Sequence, residues 1–344
     1  MMARNKKSGD IPVKPKFTVK EFKKQWVLMI WSAVLVAYGL VFYYSPLLGL
    51  VMAFKNYKVG SSLMKVFTAP WADYYGFGHF VYLFGKPLFW EALRNTVGMG
   101  VINLISSFIM NILFAILLNE IKTKFLKKSI QTISYLPHFL SMVIVCTIVH
   151  EAFTSKGIIN VLLTNGTNAA YDVLCGIPFV NDWFIKHDIL NLFPYNFWAD
   201  GRWFWPIVAF TNVWKETGWG AIIYLAAITS IDPSLYEAAS IDGAGRFGKI
   251  FHITLPGIRS TIVILLLMNV GWILNAGFEM AYLLDNELIK HYSTTIDIYA
   301  LEWAMNSSNY GRGTAIGLFK SLASVTLIVI ANWIAKLCGE DSLF

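Results

Sequence analysis

Charged residues and cysteine are both scarce in this sequence. Only 14% of its 344 residues are charged, whereas 56% are hydrophobic, and three are cysteine. So little charge cannot cover the surface of a water-soluble protein, and this nearly excludes that class. We expect no intramolecular disulfide, because the cysteines fall in a hydrophobic segment, an outer loop and the inner end of the last hydrophobic segment. They are Cys146, Cys175 and Cys338.

Several functional motifs are also absent. The sequence contains no G-x-x-x-x-G-K-[ST] phosphate loop, so any ATP hydrolysis that serves this protein must take place on another polypeptide. No nucleophile or metal-ligand pattern suggests an enzyme, and we expect no cofactor bound by this chain. An internal repeat, which secondary transporters usually contain, is not visible either.

Long hydrophobic runs are what the sequence has in abundance. Runs of about 18 or more residues with few charges are candidate membrane spans. The lipid interior offers no hydrogen-bond partner to free backbone groups, so such segments must be helical. The sequence therefore predicts an all-α membrane protein with six transmembrane helices, at about 27–45, 96–118, 133–153, 204–229, 261–283 and 314–337.

Basic residues give the expected orientation. They are concentrated before the first span and between the second and third, as at Lys122, Lys124, Lys127 and Lys128, which places these segments in the cytoplasm. The net charge of +7 then indicates contact with anionic lipid rather than nucleic acid. The predicted parts are a basic cytoplasmic tail (1–25), the first helix and an outer loop (26–95), a five-helix core (96–337) with an outer loop (154–203) and a cytoplasmic loop (230–259), and a cytoplasmic C-terminal tail (338–344).

The cytoplasmic loop between the fourth and fifth spans contains a short predicted helix. Asp232 and Pro233 are suited to the start of a helix, and Gly243 is suited to its end. Small residues between them, such as Ala238 and Ala239, would allow another protein to approach the backbone closely. This loop therefore has the features of a docking helix between two spans.

The pattern Glu-Ala-Ala, three residues, Gly, nine residues, Ile-x-Leu-Pro resembles the signature loop of the permease subunits of bacterial ABC importers. Shorter segments, such as 45–50, 53–57, 93–96, 134–139 and 317–321, look like the carbohydrate-uptake branch, of the polysaccharide and complex-oligosaccharide type. The resemblance implies a maltose-permease-like, type I fold with a cytoplasmic coupling helix. It also implies a bacterial plasma membrane location, a second permease subunit, two ATPases that bind ATP and Mg, an extracytoplasmic binding protein or lipoprotein and a sugar substrate. The expected coupling residues are Glu237, Ala238, Ala239, Asp242, Gly243, Leu255 and Pro256.

Polar and aromatic residues within the fourth and fifth spans are candidates for the substrate path, because such residues are costly inside a membrane. Aromatic rings suit the apolar faces of sugars, and amides or carboxylates suit their hydroxyls. The alternative is that these side chains join helices to one another. Because adjacent helical residues point about 100° apart, a direct Lys215–Glu216 pair is not expected. The candidates are Asn212, Lys215, Glu216, Trp219, Asn269, Trp272, Asn275 and Glu279.

Other functions remain open at the level of the sequence. An ABC permease for peptides, amino acids or an ion would share the signature loop. A proton- or ion-coupled secondary transporter could use Lys215, Glu216 and Glu279 as a relay, and a membrane enzyme or passive channel is a further alternative. The sequence does not decide whether the permease pairs with itself or with a different subunit.

Overall fold

The computed structural model describes residues 19–57, 65–174, 193–275, 277–337 and 339, and these residues are almost entirely helical. Within these ranges the β-type pairing is one isolated bridge between Lys55 and Trp71. The helices are α1 (Val19–Gly39), α2 (Lys65–Thr68), α3 (Gly78–Phe84), α4 (Pro87–Glu120), α5 (Lys124–Tyr135), α6 (Met142–Ala152), α7 (Ile158–Leu174), α8 (Phe204–Thr229), α9 (Pro233–Ile241), α10 (Arg246–Lys249), α11 (Leu255–Gly257), α12 (Arg259–Gly271), α13 (Phe278–Leu284), α14 (Lys290–Ser293), α15 (Ile296–Leu301) and α16 (Tyr310–Leu337).

Three of the described helices are long and apolar enough to cross a membrane: Gln25–Phe54, α4 and α16. Two bent helix pairs raise the number to five if each pair is one span. The fourth predicted span is the continuous 26-residue helix α8, which carries Lys215 and Glu216 near its middle and is not among these five candidates. The prediction of an all-helical membrane protein is confirmed.

The third predicted span is not a straight helix. Helix α5 and a 3-10 turn, Leu136–Phe139, meet α6 at an angle of 100°. Pro137 lies in that turn, and proline lacks the N–H that would continue the helix. Ser141 then begins α6, since its hydroxyl accepts a hydrogen bond from the Ile144 amide at 3.4 Å.

The fifth predicted span is also interrupted. A continuous helix would place Asn269, Trp272 and Asn275 on one face, with Glu279 as a possible continuation, but the helix breaks before Asn275. Helix α12 ends at Gly271, a 3-10 turn covers Ile273–Asn275, and Gly277 adopts a left-handed φ of 85° before α13 begins. Because of this break, Asn275 and Glu279 do not follow the helical periodicity of α12.

The helices of the second to sixth predicted spans pack around three buried clusters. One contains Phe204 and Val208 of α8 with Met280 and Ala281 of α13. Glycines allow very close approach: a Cβ on Gly218 of α8 would lie 2.1 Å from the Ser134 carbonyl oxygen, and one on Gly100 of α4 would lie 2.3 Å from that of Ile273. Small residues at helix crossings are the usual solution in membranes, where close packing drives association.

The chain divides into two compact units, Met1–Val51 and Met52–Phe344. In the first unit, apolar side chains along α1 are exposed, for example 64% of Trp31 and 68% of Leu35. An apolar helix with exposed side chains all round suits a lipid environment. Of the three cysteines, Cys146 is buried as a free thiol, while Cys175 and Cys338 lie outside the described residues.

Candidate functional site

The predicted docking helix is α9, and its first turn is capped as expected. The Asp232 carboxylate accepts a hydrogen bond from the Ser234 amide at 2.9 Å, and Pro233 occupies the first helical position. This bond lowers the pKa of Asp232, because it favours the ionised carboxylate. The negative charge also lies at the positive end of the helix dipole.

The end of α9 depends on Gly243. Its φ is +79°, and the Ala244 amide donates to the Ala239 carbonyl at 2.8 Å while the Gly243 amide donates to that of Ser240 at 3.3 Å. These two bonds form a Schellman motif, which requires a left-handed residue just beyond the helix. A Cβ on Gly243 would meet nothing within 4 Å, so its requirement is conformational.

Side-chain contacts brace α9 against the segment that follows it. Lys249 Nζ donates to the Ser240 hydroxyl at 2.7 Å, and the hydroxyls of Tyr236 and Thr254 are 2.9 Å apart. Thr254 is buried. The short helix is therefore held in a fixed orientation by contacts at both of its turns.

The opposite side of α9 is open. Glu237 and Ala238 are exposed, and Glu237 has no hydrogen bond or ion pair with any residue that the structure describes. Apolar side chains are exposed beside them, with 87% of Ile241 and 77% of Phe247 accessible. Exposed apolar residues around an unpaired charge are features of a protein-interaction surface.

The other predicted coupling residues occupy different environments. Asp242, at the C-cap, and Pro256 are exposed, and Ala239 is half-buried. Leu255 instead packs against the buried cluster that contains Ile258 and joins α4 to α8. Leu255 is thus placed to anchor the loop to the helix core rather than to contact a partner.

Part of the predicted substrate path lines a cavity of about 750 Å³. Asn212, Asn275 and Glu279 lie in its wall. Lys320 and Asp297 lie there too, and Lys320 Nζ contacts the two Asp297 carboxylate oxygens at 2.7 and 2.6 Å. Asp297 was not among the sequence candidates, because it lies in an outer loop and only folding brings it to Lys320.

A second cavity, of about 210 Å³, adjoins the first, since Asn212 and Asn275 line both. Asn269 and Trp272 also line it, opposite polar residues of α4. The Asn212 amide donates to the Ser107 hydroxyl at 2.9 Å. These α4 residues are Asn103, Ser107 and Asn111. They are four residues apart and therefore share one helix face. The sequence shows this spacing, but the three residues were not among the predicted candidates.

The remaining candidates, Lys215, Glu216 and Trp219, do not line either cavity and instead contact His138 at the bend of the third span. Lys215 Nζ donates to the His138 carbonyl at 2.7 Å, and Glu216 contacts its Nδ1 at 2.7 Å. Trp219 stacks on its ring with centroids 4.5 Å apart.

The expectation that Lys215 and Glu216 do not pair directly is wrong, since their charged groups are 3.2 Å apart. Although successive residues point in different directions, the long lysine side chain reaches back across the helix surface. This group joins helices, as the alternative interpretation stated.

Residues 105–339 match the family described as the inner membrane component of binding-protein-dependent transport systems. The chain belongs to this family, whose members are transport permeases and not enzymes. The predicted ABC importer permease is thereby confirmed. Membership also argues against the secondary transporter, enzyme and channel alternatives.

Relatives and solved structures agree with this assignment. The chain is 36% identical to protein LplB of Bacillus subtilis (strain 168), over 94% of this chain and 92% of the relative. It is 37% identical to the polygalacturonan/rhamnogalacturonan transport system permease protein YteP of the same organism, over 89% of this chain and 87% of the relative. A bacterial ABC transporter involved in the import of the acidic polysaccharide alginate has a TM-score of 0.75 and 34% identity, over 92% of this chain and 97% of that one. The bacterial alginate ABC transporter in complex with an alginate pentasaccharide-bound periplasmic protein has a TM-score of 0.76 and 33% sequence identity, over 94% of this chain and 99% of that one.

Proposed function

We propose that this chain is the permease subunit of an ATP-driven importer for oligosaccharides or polysaccharide fragments, and that it forms half of the translocation path. The named polysaccharide relatives support the substrate class. The cavities lined by Asn212, Asn269 and Asn275 support the path, because amides and neighbouring aromatic rings suit sugar hydroxyls and ring faces.

The importer we propose has several further components. A different permease subunit completes the path, two cytoplasmic ATPases bind ATP and Mg, and an extracytoplasmic binding protein or lipoprotein delivers the sugar. Both termini and the loop containing α9 face the cytoplasm of a bacterial plasma membrane. The excess of lysine before the first span and at 122–128 supports this orientation.

The observation that carries the coupling mechanism is the position of α9 between α8 and α12. Helix α8 carries Asn212 and α12 carries Asn269, so the same loop that exposes Glu237 connects two walls of the cavities. We propose that Glu237 meets a basic group of an ATPase while Ala238 and Ala239 enter a groove. Asp242, Gly243 and Pro256 shape the loop. Closure of the ATPases then moves both walls as a rigid-body rearrangement.

Reversal of the charge at position 237 tests the coupling. The Glu237→Arg variant should insert normally but lose sugar uptake and sugar-stimulated ATPase activity, because an arginine would repel the basic group expected on the ATPase. Uptake, membrane abundance and ATPase co-purification would be measured together. Glu120→Arg, at the cytoplasmic end of α4, is the matched control. Uptake at the wild-type level by Glu237→Arg, at equal abundance, would refute the mechanism.

A further inference from the structure

A third polar cavity, of about 350 Å³, lies beside the first turn of α16. Asn309 and Arg312 line it, whereas Tyr310 and Gly313 of the same turn line the 750 Å³ cavity. The two cavities therefore flank one helical turn. In the proposed topology this turn is at the extracytoplasmic mouth of the path. The third cavity is within the lower part of the size range of small-molecule sites, roughly 300–1,000 Å³.

Unusual backbone conformations are concentrated around this cavity. Among the residues that the structure describes, three other than glycine have a left-handed φ: Tyr74 (53°), Tyr75 (57°) and Ser308 (50°). Tyr74 lines the cavity, Tyr75 follows it, and Ser308 precedes the lining residue Asn309. Such conformations cost about 1–3 kcal/mol each and cluster at ligand sites, where the surrounding fold holds them in place.

The guanidinium of Arg312 has no hydrogen-bond acceptor among the residues that the structure describes. Its Cζ is 3.6 Å from the centroid of the Tyr82 ring and 4.5 Å from that of Trp303. Its Nε is buried with no hydrogen-bond partner, and within the described ranges no carboxylate pairs with it. Because an arginine has five N–H donors, this stacked but unpaired group is prepared for an acceptor from outside the chain.

The rest of the wall indicates the kind of ligand. Asp73 carries one negative charge to balance Arg312, and Asn56 and Asn309 add amides that both donate and accept. His79 also lines the cavity, with its Nε2 3.2 Å from the Lys55 carbonyl oxygen. The exposed ring of Tyr74 offers an apolar face. A balanced charge with many donors, acceptors and an aromatic ring suits an uncharged polyhydroxylated ring better than an anion.

We propose that this cavity binds one neutral sugar unit of an oligosaccharide at the outer mouth of the path, with Arg312 and Asp73 contacting its hydroxyls. The proposal rests on the proposed function for its location and substrate class. The 750 Å³ cavity is consistent with a neutral oligosaccharide. Asp297 neutralises the charge of Lys320 there, and the Glu279 carboxylate, which has no partner among the described residues, would repel an anionic sugar.

Direct binding tests the site independently of ATPase coupling. The complete transporter, in lipid nanodiscs without nucleotide or binding protein, would be titrated with cellotetraose, xylotetraose, mannotetraose and tetragalacturonate and followed by saturation-transfer NMR. At least one neutral tetrasaccharide should bind saturably, and Arg312→Gln and Asp73→Asn should each weaken it about tenfold, the loss expected for a hydrogen bond to a charged group. Arg202→Gln is the control, because Arg202 is exposed and paired with Asp200.

Three results of this titration would overturn the proposal. The first is that no probe binds saturably, and the second is that Arg312→Gln and Asp73→Asn bind as the wild type does. The third is that tetragalacturonate binds more tightly than every neutral probe. In a separate titration of the same nanodiscs with the sugar-free binding protein, a loss of affinity in Arg312→Gln while sugar binding is unchanged would make Arg312 a protein-docking residue instead. Failure of the Glu237 experiment with intact sugar binding would contradict the coupling mechanism alone.

Discussion

Gly243 is the residue on which the end of α9 depends most directly. Its left-handed backbone allows two hydrogen bonds that terminate the helix, and no side chain competes for the space around it. Gly245, two residues later, has an ordinary extended φ of −71° and equally open surroundings. Substitutions at these two positions therefore distinguish a requirement for left-handed backbone from a requirement for a small side chain.

We expect Gly243→Ala to reduce sugar uptake strongly, because an alanine at this φ costs about 1–2 kcal/mol and displaces the exposed surface of α9. Gly245→Ala should transport as the wild type does. Uptake and ATPase stimulation in proteoliposomes would measure both. Equal activity of the two variants would show that the Schellman motif is dispensable.

At the scale of elements, a buried lysine is one of the contacts that join the bent third span to α8. Lys215 is 6% exposed and links the His138 carbonyl to the Glu216 carboxylate. Since α8 leads directly into the α9 loop, the bend and the loop are joined through a single helix. This gives the charged residues of the fourth span a structural role that their positions in the sequence did not reveal.

Lys215→Met should destabilise the transporter by ~3 kcal/mol or more, because it leaves a half-buried carboxylate and a carbonyl without their donor. The midpoint of thermal unfolding in detergent would fall, and Lys215→Arg should recover part of the loss. Lys336→Met, at an exposed position near the end of α16, is the control. An unchanged midpoint for Lys215→Met would mean that the buried pair contributes little.

At the scale of the whole molecule, the two adjoining cavities are lined by residues of α4, α6, α8, α12, α13, α15 and α16. Asn275 lines both cavities, is exposed to them, and makes no side-chain hydrogen bond that the structure describes. Asn269 lines the smaller one, but its amide donates to the Leu265 carbonyl of its own helix at 2.8 Å. The amide of Asn275, unlike that of Asn269, therefore has no hydrogen-bond partner among the described residues.

Asn275→Ala should alter the KM or the range of transported sugars while the complex still assembles, and Asn269→Ala should have the smaller effect. The physical reason is that Asn275→Ala removes a donor and acceptor that has no partner among the described residues, whereas the Asn269 amide is already bonded to its own helix. Uptake of an oligosaccharide series and subunit co-purification would measure both effects. Failure of Asn275→Ala to assemble would assign this residue to helix packing instead.

The sequence by itself determined the helical membrane class, the family and the ends of α9. Hydropathy and the residues Asp232, Pro233 and Gly243 act locally, through burial in lipid and through capping. Their effects can therefore be read from adjacent positions.

Tertiary structure decided which polar residues share a cavity. The break after Gly271 reorients Asn275 and Glu279, folding brings Asp297 to Lys320, and the bend at Pro137 carries His138 to Lys215 and Glu216. Each of these pairings joins residues far apart along the chain or across a helix break. Helical spacing predicts faces only within one uninterrupted helix, so these contacts follow from packing alone.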